Sequence, residues 1–292
     1  MKDTAELFID SRCELGEGIF WHPLQERLFW FDIPNKTLYS ATAGGIMVDR
    51  FTFETSVSAA GVIDEDNLAI ASSEGIYRLN LKTDHRELLV PLEADIPGNR
   101  SNDGRVGPSG SFWISTMDAA DPATHPTGSL YCVRGDQVTR LRENIRIPNA
   151  TCFSPDGRRA YFTDGLTRRI ETIATDPETG LPTGPWQEFV TVAPPIEPDG
   201  AIVDSEGFFW NAHWAGGQVV RYAPDGRVDR VVKVPVTRVT CPALGGKDLK
   251  TLYITTARQG MTPEDVAANP HAGSIFAIEV DVPGLPENIF KA

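Results

Sequence analysis

Phe112-Trp113-Ile114-Ser115 is a short aromatic and β-branched run placed just behind the turn residues Gly107-Pro108-Ser109-Gly110. The same kind of run recurs five times. Upstream stand Leu28-Phe29-Trp30-Phe31 and Leu68-Ala69-Ile70-Ala71; downstream stand Ala160-Tyr161-Phe162-Thr163, Phe209-Trp210-Asn211-Ala212 and Leu252-Tyr253-Ile254-Thr255. Their first positions lie 40 to 49 residues apart, the spacing of four-stranded propeller blades. Six such periods account for nearly all 292 residues. The expected fold is therefore all-β: a six-bladed β-propeller with four-stranded blades around a central channel, forming one domain over residues 1–292. A β-sandwich is the competing all-β fold, but sandwiches do not repeat their grammar at a ~45-residue period.

Within each period a strand, a tight polar turn, the aromatic run and a third apolar strand follow one another. Ser154-Pro155-Asp156-Gly157 and Asp204-Ser205-Glu206-Gly207 read as the turns, with Asp starting the bend and Gly supplying positive φ. Tyr131-Cys132-Val133, Ile170-Glu171-Thr172-Ile173, Val219-Val220-Arg221-Tyr222 and Ile275-Phe276-Ala277-Ile278 read as third strands. Residues 263 to 269 are the best short helix candidate. Leu7-Phe8-Ile9 is expected as the outer strand of the blade formed by the C-terminal segment, closing the ring without long free edges.

The innermost strands of all blades surround one channel, so residues at the same phase of the repeat point toward a shared axis. Counting back 10 or 11 residues from each aromatic run reaches Glu17, Asn102, Asn149 and Asp199 in the first, third, fourth and fifth blades. The second and sixth blades offer Val57-Ser58 and Cys241-Pro242 at this phase. Glu17, Asn149 and Asp199 together would form a hard-oxygen cage for one divalent cation such as Ca²⁺, Mg²⁺ or Mn²⁺. Taken singly, Gly16-Glu17-Gly18, Pro148-Asn149 and Asp199-Gly200 also read as ordinary turns. Arg100 and Asn102, within Arg100-Ser101-Asn102-Asp103-Gly104, add a cation and hydrogen-bonding groups suited to a polyhydroxylated ligand or a carboxylate, or else form a polar turn.

Composition removes other partners. A formal charge of −13 disfavours nucleic acid and anionic membranes. The N-terminal Lys2-Asp3-Thr4-Ala5-Glu6 lacks a secretory apolar run, and no stretch reaches the ~18 apolar residues of a membrane span, so a soluble cytoplasmic protein is expected. Cys13, Cys132, Cys152 and Cys241 form no CxxC pair and read as buried, reduced thiols. The five histidines show no HxxxH pairing, Gly245-Gly246-Lys247 lacks the rest of a phosphate loop, and no GxSxG elbow is present.

With these motifs in place, the sequence resembles the regucalcin and gluconolactonase family, also described as the senescence-marker-protein type, over essentially its full length. The resemblance is carried by Leu15-Gly16-Glu17-Gly18 with Trp21, Asn99-Arg100-Ser101-Asn102-Asp103-Gly104, Pro148-Asn149, Pro198-Asp199-Gly200, and Gly216-Gly217 after Trp214. It implies a single metal ion held by Glu17, Asn149 and Asp199, with Arg100 and Asn102 contacting substrate. The metal's identity stays open among Ca²⁺, Zn²⁺, Mg²⁺, Mn²⁺ and Fe²⁺. The implied activity is hydrolysis of a small sugar (aldono-) lactone to its sugar acid in carbohydrate catabolism, with Asp199 as general base. The alternatives are a non-enzymatic calcium-binding regulator or scaffold, and a promiscuous esterase. Three departures from the family pattern stand out. Ile19 replaces a frequent proline, Ala150-Thr151 replaces a frequent Gly-apolar pair, and the acidic substrate contact expected after Thr116-Met117 falls to Asp118 or Asp121. A closed ring needs no partner for its edges, so a monomer is expected.

Overall fold

The computed structural model describes residues 3–292. It contains six four-stranded antiparallel sheets, and the innermost strands touch one another in a closed ring around a channel. From the inside outward, blade 1 is Gly16–His22, Arg27–Asp32, Thr37–Thr42 and Met47–Thr52. Blades 2 to 5 repeat this order, their inner strands being Val57–Val62, Asn99–Val106, Pro148–Phe153 and Glu197–Val203. Blade 6 is built from both ends of the chain. Val239–Gly245, Thr251–Thr256 and Ile275–Glu279 are completed on the outside by Glu6–Ile9, with Leu7 opposite Phe276, as the sequence leads one to expect.

The aromatic runs form the second strand of every blade, and their composition follows from where that strand lies. Both of its faces are covered by neighbouring blades, so it is continuously apolar rather than alternating. In blade 1, Phe29 and Phe31 pack toward Leu68 and Ile70 of blade 2, while Leu28 and Trp30 pack toward Tyr253 and Ile275 of blade 6. In blade 3, Phe112 and Ile114 face blade 2 while Trp113 meets Phe153 and Phe162 of blade 4. One strand thus glues two interfaces. The outermost strands face water on one side and carry the charge, as in Gln137–Ile145. The short helix Pro263–Ala268 is set by a capping box in which Thr262 and Asp265 satisfy each other's backbone N–H groups. All four cysteines are free and buried.

The C-terminal segment has no strand signal in the sequence and forms a strap across the end of the channel away from the candidate site. Gly284 N–H donates to Leu249 O, Asn288 Nδ2 to Val106 O, Phe290 N–H to Val62 O and Lys291 N–H to Gly110 O. Arg105 Nη1 meets Glu287 Oε1 at 2.6 Å beneath this strap. The Phe290 ring is buried against Phe112, 5.9 Å between centroids. Phe290→Ala is expected to lower stability by about 3 kcal/mol through the cavity it leaves, read as a lower urea midpoint with an unchanged slope.

Candidate active site

Every inner strand carries a register break at the same place, and these breaks aim the candidate residues. In blade 1, Glu17 pairs with Phe31 and Phe20 with Phe29, so Gly18 and Ile19 oppose one residue. The equivalent doubled positions are Asn102-Asp103 in blade 3, Ala150-Thr151 in blade 4 and Asp199-Gly200 in blade 5. Such β-bulges redirect side chains. Two solutions are used. In blades 1 and 4 the first bulged residue is left-handed, Gly18 at φ 55° and Ala150 at φ 61°, and the preceding Glu17 or Asn149 lines the cavity. In blades 3 and 5 the first bulged residue, Asn102 or Asp199, lines it itself. This one-residue offset brings positions of slightly different phase together. Ala150 therefore occupies the left-handed site that glycine fills in blade 1, a conformation that favours glycine and that the alanine adopts at a cost in backbone strain.

Gly18 has no such latitude. A Cβ there would lie 2.2 Å from Ser58 O and 2.9 Å from Phe31 Cδ2. Gly18→Ala is expected to cost at least 2 kcal/mol, in the range of strained backbone and overpacked sites, measured by chemical denaturation.

Glu17, Arg100, Asn102, Asn149 and Asp199 line one cavity of about 400 Å³. The Asn102 amide locks two blades together: its Nδ2 donates to Pro148 O at 2.7 Å and to Asn149 Oδ1 at 3.1 Å, and its Oδ1 accepts from Arg100 Nη1 at 2.7 Å. These bonds fix which way both amides point and leave Asn149 Oδ1 a further lone pair. Glu17 accepts the Gly18 N–H at 3.0 Å and lies beside Asp199. Burial, then Asp103 nearby, pushes Glu17 up to about 8. Burial, then the Glu17 and Asp103 charges, holds Asp199 well above the usual carboxylate range. Burial lowers Arg100 to about 10, although its charge faces both acids.

Among the described residues no three or more His, Cys, Asp and Glu side chains are arranged to hold a metal ion by themselves. The convergent donors are two carboxylates and an amide oxygen. That set suits a hard divalent cation, and two buried carboxyls held against each other are the arrangement a cation relieves.

Three findings differ from the sequence reading or add to it. Arg100-Ser101-Asn102-Asp103-Gly104 is not a turn but lies within the inner strand Asn99–Val106. Asp118, expected at substrate, is absent from the cavity wall; its Oδ1 accepts the N–H groups of Ala120 at 2.9 Å and Asp121 at 2.7 Å. Asp121 also stays off the wall, its Oδ2 accepting the Thr124 hydroxyl. The wall there is made by Met117, Ala119, Ala120 and Pro122. Sequence reasoning missed Asp103, a buried acid whose Oδ2 accepts the Thr151 N–H at 2.7 Å and whose pKa burial raises. Its place directly after Asn102, one residue past the phase of the cage, is the signal that could have found it.

The family model described as "SMP-30/Gluconolactonase/LRE-like region" matches residues 15–258. The chain belongs to this family. Within the SMP-30/gluconolactonase family it is 39% identical, over 97% of its length and 95% of the other's, to a Rhizobium meliloti protein with a provisional sugar lactone lactonase name. It is 34% identical to the pentonolactonase XacC of Haloferax volcanii, with 97% of each chain covered. Among solved structures it is similar to a calcium-binding protein, regucalcin, from Agrobacterium tumefaciens. That likeness has a TM-score of 0.96 and 35% identity, over 100% of this chain and 99% of the other.

Proposed function

We propose that this protein is a sugar lactonase that opens a small aldonolactone with one divalent cation held by Glu17, Asn149 and Asp199. The observation that carries the reading is the convergence of these three oxygen-bearing side chains, with Arg100 and Asn102 beside them, on one cavity. The lactonase names among its relatives support the same reading.

A cation held in this cage supplies polarisation of the lactone carbonyl and activation of water. The chain's own groups do the rest. Asp199 accepts a proton from the attacking water as the new C–O bond forms, and that proton returns to the ring oxygen as the ester bond breaks. Arg100 and Asn102, tied to each other at 2.7 Å, hold sugar hydroxyls so that the carbonyl faces the cage. Trp214, Met117 and Ile147 wall the cavity with apolar surface, which limits water around the reacting carbonyl. One chain carries every group the scheme needs, in keeping with a monomer.

The test is acid release from a panel of aldonolactones by metal-stripped protein, with Ca²⁺, Mg²⁺, Mn²⁺, Zn²⁺ or Fe²⁺ restored separately and spontaneous opening subtracted. Metal-dependent turnover of one or a few lactones is expected. If no lactone or simple ester is opened with any metal, the catalytic reading fails. The calcium-binding reading, favoured by the likeness to the Agrobacterium tumefaciens protein, then takes its place.

A further inference from the structure

The wall of the cavity beside Arg100 changes character abruptly. Arg100 pairs with Met117 across the first two strands of blade 3, and beyond Met117 the chain turns into the segment Asp118–Pro122. Both acids of that segment are committed to its own scaffold. Asp118 takes the N–H groups of Ala120 and Asp121, and Asp121 takes the Thr124 hydroxyl. Ala119 N–H is tied in turn to Gly98 O at 2.9 Å. Ala119, Ala120 and Pro122 of this segment line the cavity, continuous with Met117, with Ala119 and Ala120 at its exposed rim. No side-chain donor or acceptor of this segment lines the cavity. The polar groups of the rim, Ser56, Glu197 and Gln259, come from other parts of the ring.

An aldonolactone has a polar end and a variable end. The carbonyl and the ring hydroxyls next to it belong at the cage, Arg100 and Asn102. The exocyclic carbon leaves the ring from the far side, next to the ring oxygen. With the carbonyl at the cage and the hydroxyls at Arg100, a wall open to that carbon beside Arg100 is Met117–Pro122. A hydroxyl there must give up part of its hydration without a side-chain partner, whereas a methyl or hydrogen gives up nothing.

We infer that Asp118–Pro122 is a specificity wall selecting lactones whose exocyclic carbon bears no hydroxyl, the class of terminally deoxygenated aldonolactones. Asp118 is its positioning residue. This rests on the lactonase reading above and names the substrate class of that same site.

The test uses matched pairs of aldonolactones, each a hexono-1,5-lactone and its 6-deoxy counterpart of identical configuration, assayed with the metal-loaded protein. The deoxy member is expected to have about tenfold higher kcat/KM, carried by KM because the group is remote from the carbonyl. Ala120→Asn, which sets an amide on the wall, is expected to shrink or reverse that ratio. Asp118→Ala, which frees the segment, is expected to erase it. Calorimetric binding of the same pairs to Asp199→Asn reads the preference without chemistry. Equal or better handling of the hydroxylated members overturns the inference and leaves the lactonase reading standing. A deoxy preference in binding with no turnover of any lactone by the native protein sinks the lactonase reading and spares the wall. Indifference in both binding and turnover to Ala120→Asn removes the wall as its cause.

Discussion

Asp199→Asn is expected to reduce lactone opening by about a thousandfold, within the range for losing a general base, while the β-rich circular-dichroism spectrum is unchanged. Asparagine keeps the size of the side chain and one oxygen toward the cage, but it can neither take a proton from water nor carry the charge that balances a cation. The backbone around it does not depend on the carboxylate: Asn211 Nδ2 holds Asp199 O at 2.8 Å and Gly200 O at 3.1 Å. The effect should fall on kcat, with a weaker cation affinity measured by calorimetry alongside it. Collapse of the spectrum, or turnover close to that of the native protein, would show that Asp199 supports the structure and not the chemistry.

The Glu17 carboxyl is expected to make metal-free protein less stable as pH rises from about 4.5 to about 8, opposed below about 6.5 by the buried His22 and His213, and a bound divalent cation should flatten the fall above that point. Glu17 has its ordinary value near 4.5 in the unfolded chain and about 8 in the fold, where burial and then Asp103 favour the protonated form. Across that window Glu17 holds more protons in the folded state than in the unfolded one, so its contribution to stability falls with each step up in pH. Below the window both states are protonated and the difference vanishes. Asp199 shifts in the same direction and adds to the loss. A cation between the two acids replaces the proton as counter-charge, and at a hundredfold excess over its dissociation constant it adds about 2.7 kcal/mol. Thermal melts of stripped and calcium-loaded protein across this range check both halves. A flat profile for the stripped protein between about pH 6.5 and 8, above the histidine range, would mean that the two carboxyls are not buried together in solution.

What could be read from the sequence was set by periodicity. The six aromatic runs announce the blades because a strand buried on both faces must be apolar throughout, whatever the loops do. Phase then finds Glu17, Asn149 and Asp199, since residues near the start of each inner strand have one channel to point into. Side-chain direction inside irregular backbone follows neither rule. Asp118 has the right residue type beside the right strand, yet two local N–H groups claim its carboxylate. Asp103 hides in an Asn-Asp-Gly string that reads as a turn until the bulge in Asn99–Val106 places it inside a strand. The strap around Asn288 and Phe290 has no period at all, because its partners Val62, Val106 and Gly110 lie far back along the chain.

Blade 6 also imposes a timetable on synthesis. Its outer strand, Glu6–Ile9, is made long before the strand it pairs with, Ile275–Glu279. At ~5–20 residues per second, the early strand waits tens of seconds for its partner with its hydrogen-bonding edge unsatisfied. The other five blades can assemble in order as they appear. Closure of the ring then waits for Ile275–Glu279 and joins two segments far apart in the sequence, the slow non-local pairing on which the folding rate is expected to depend.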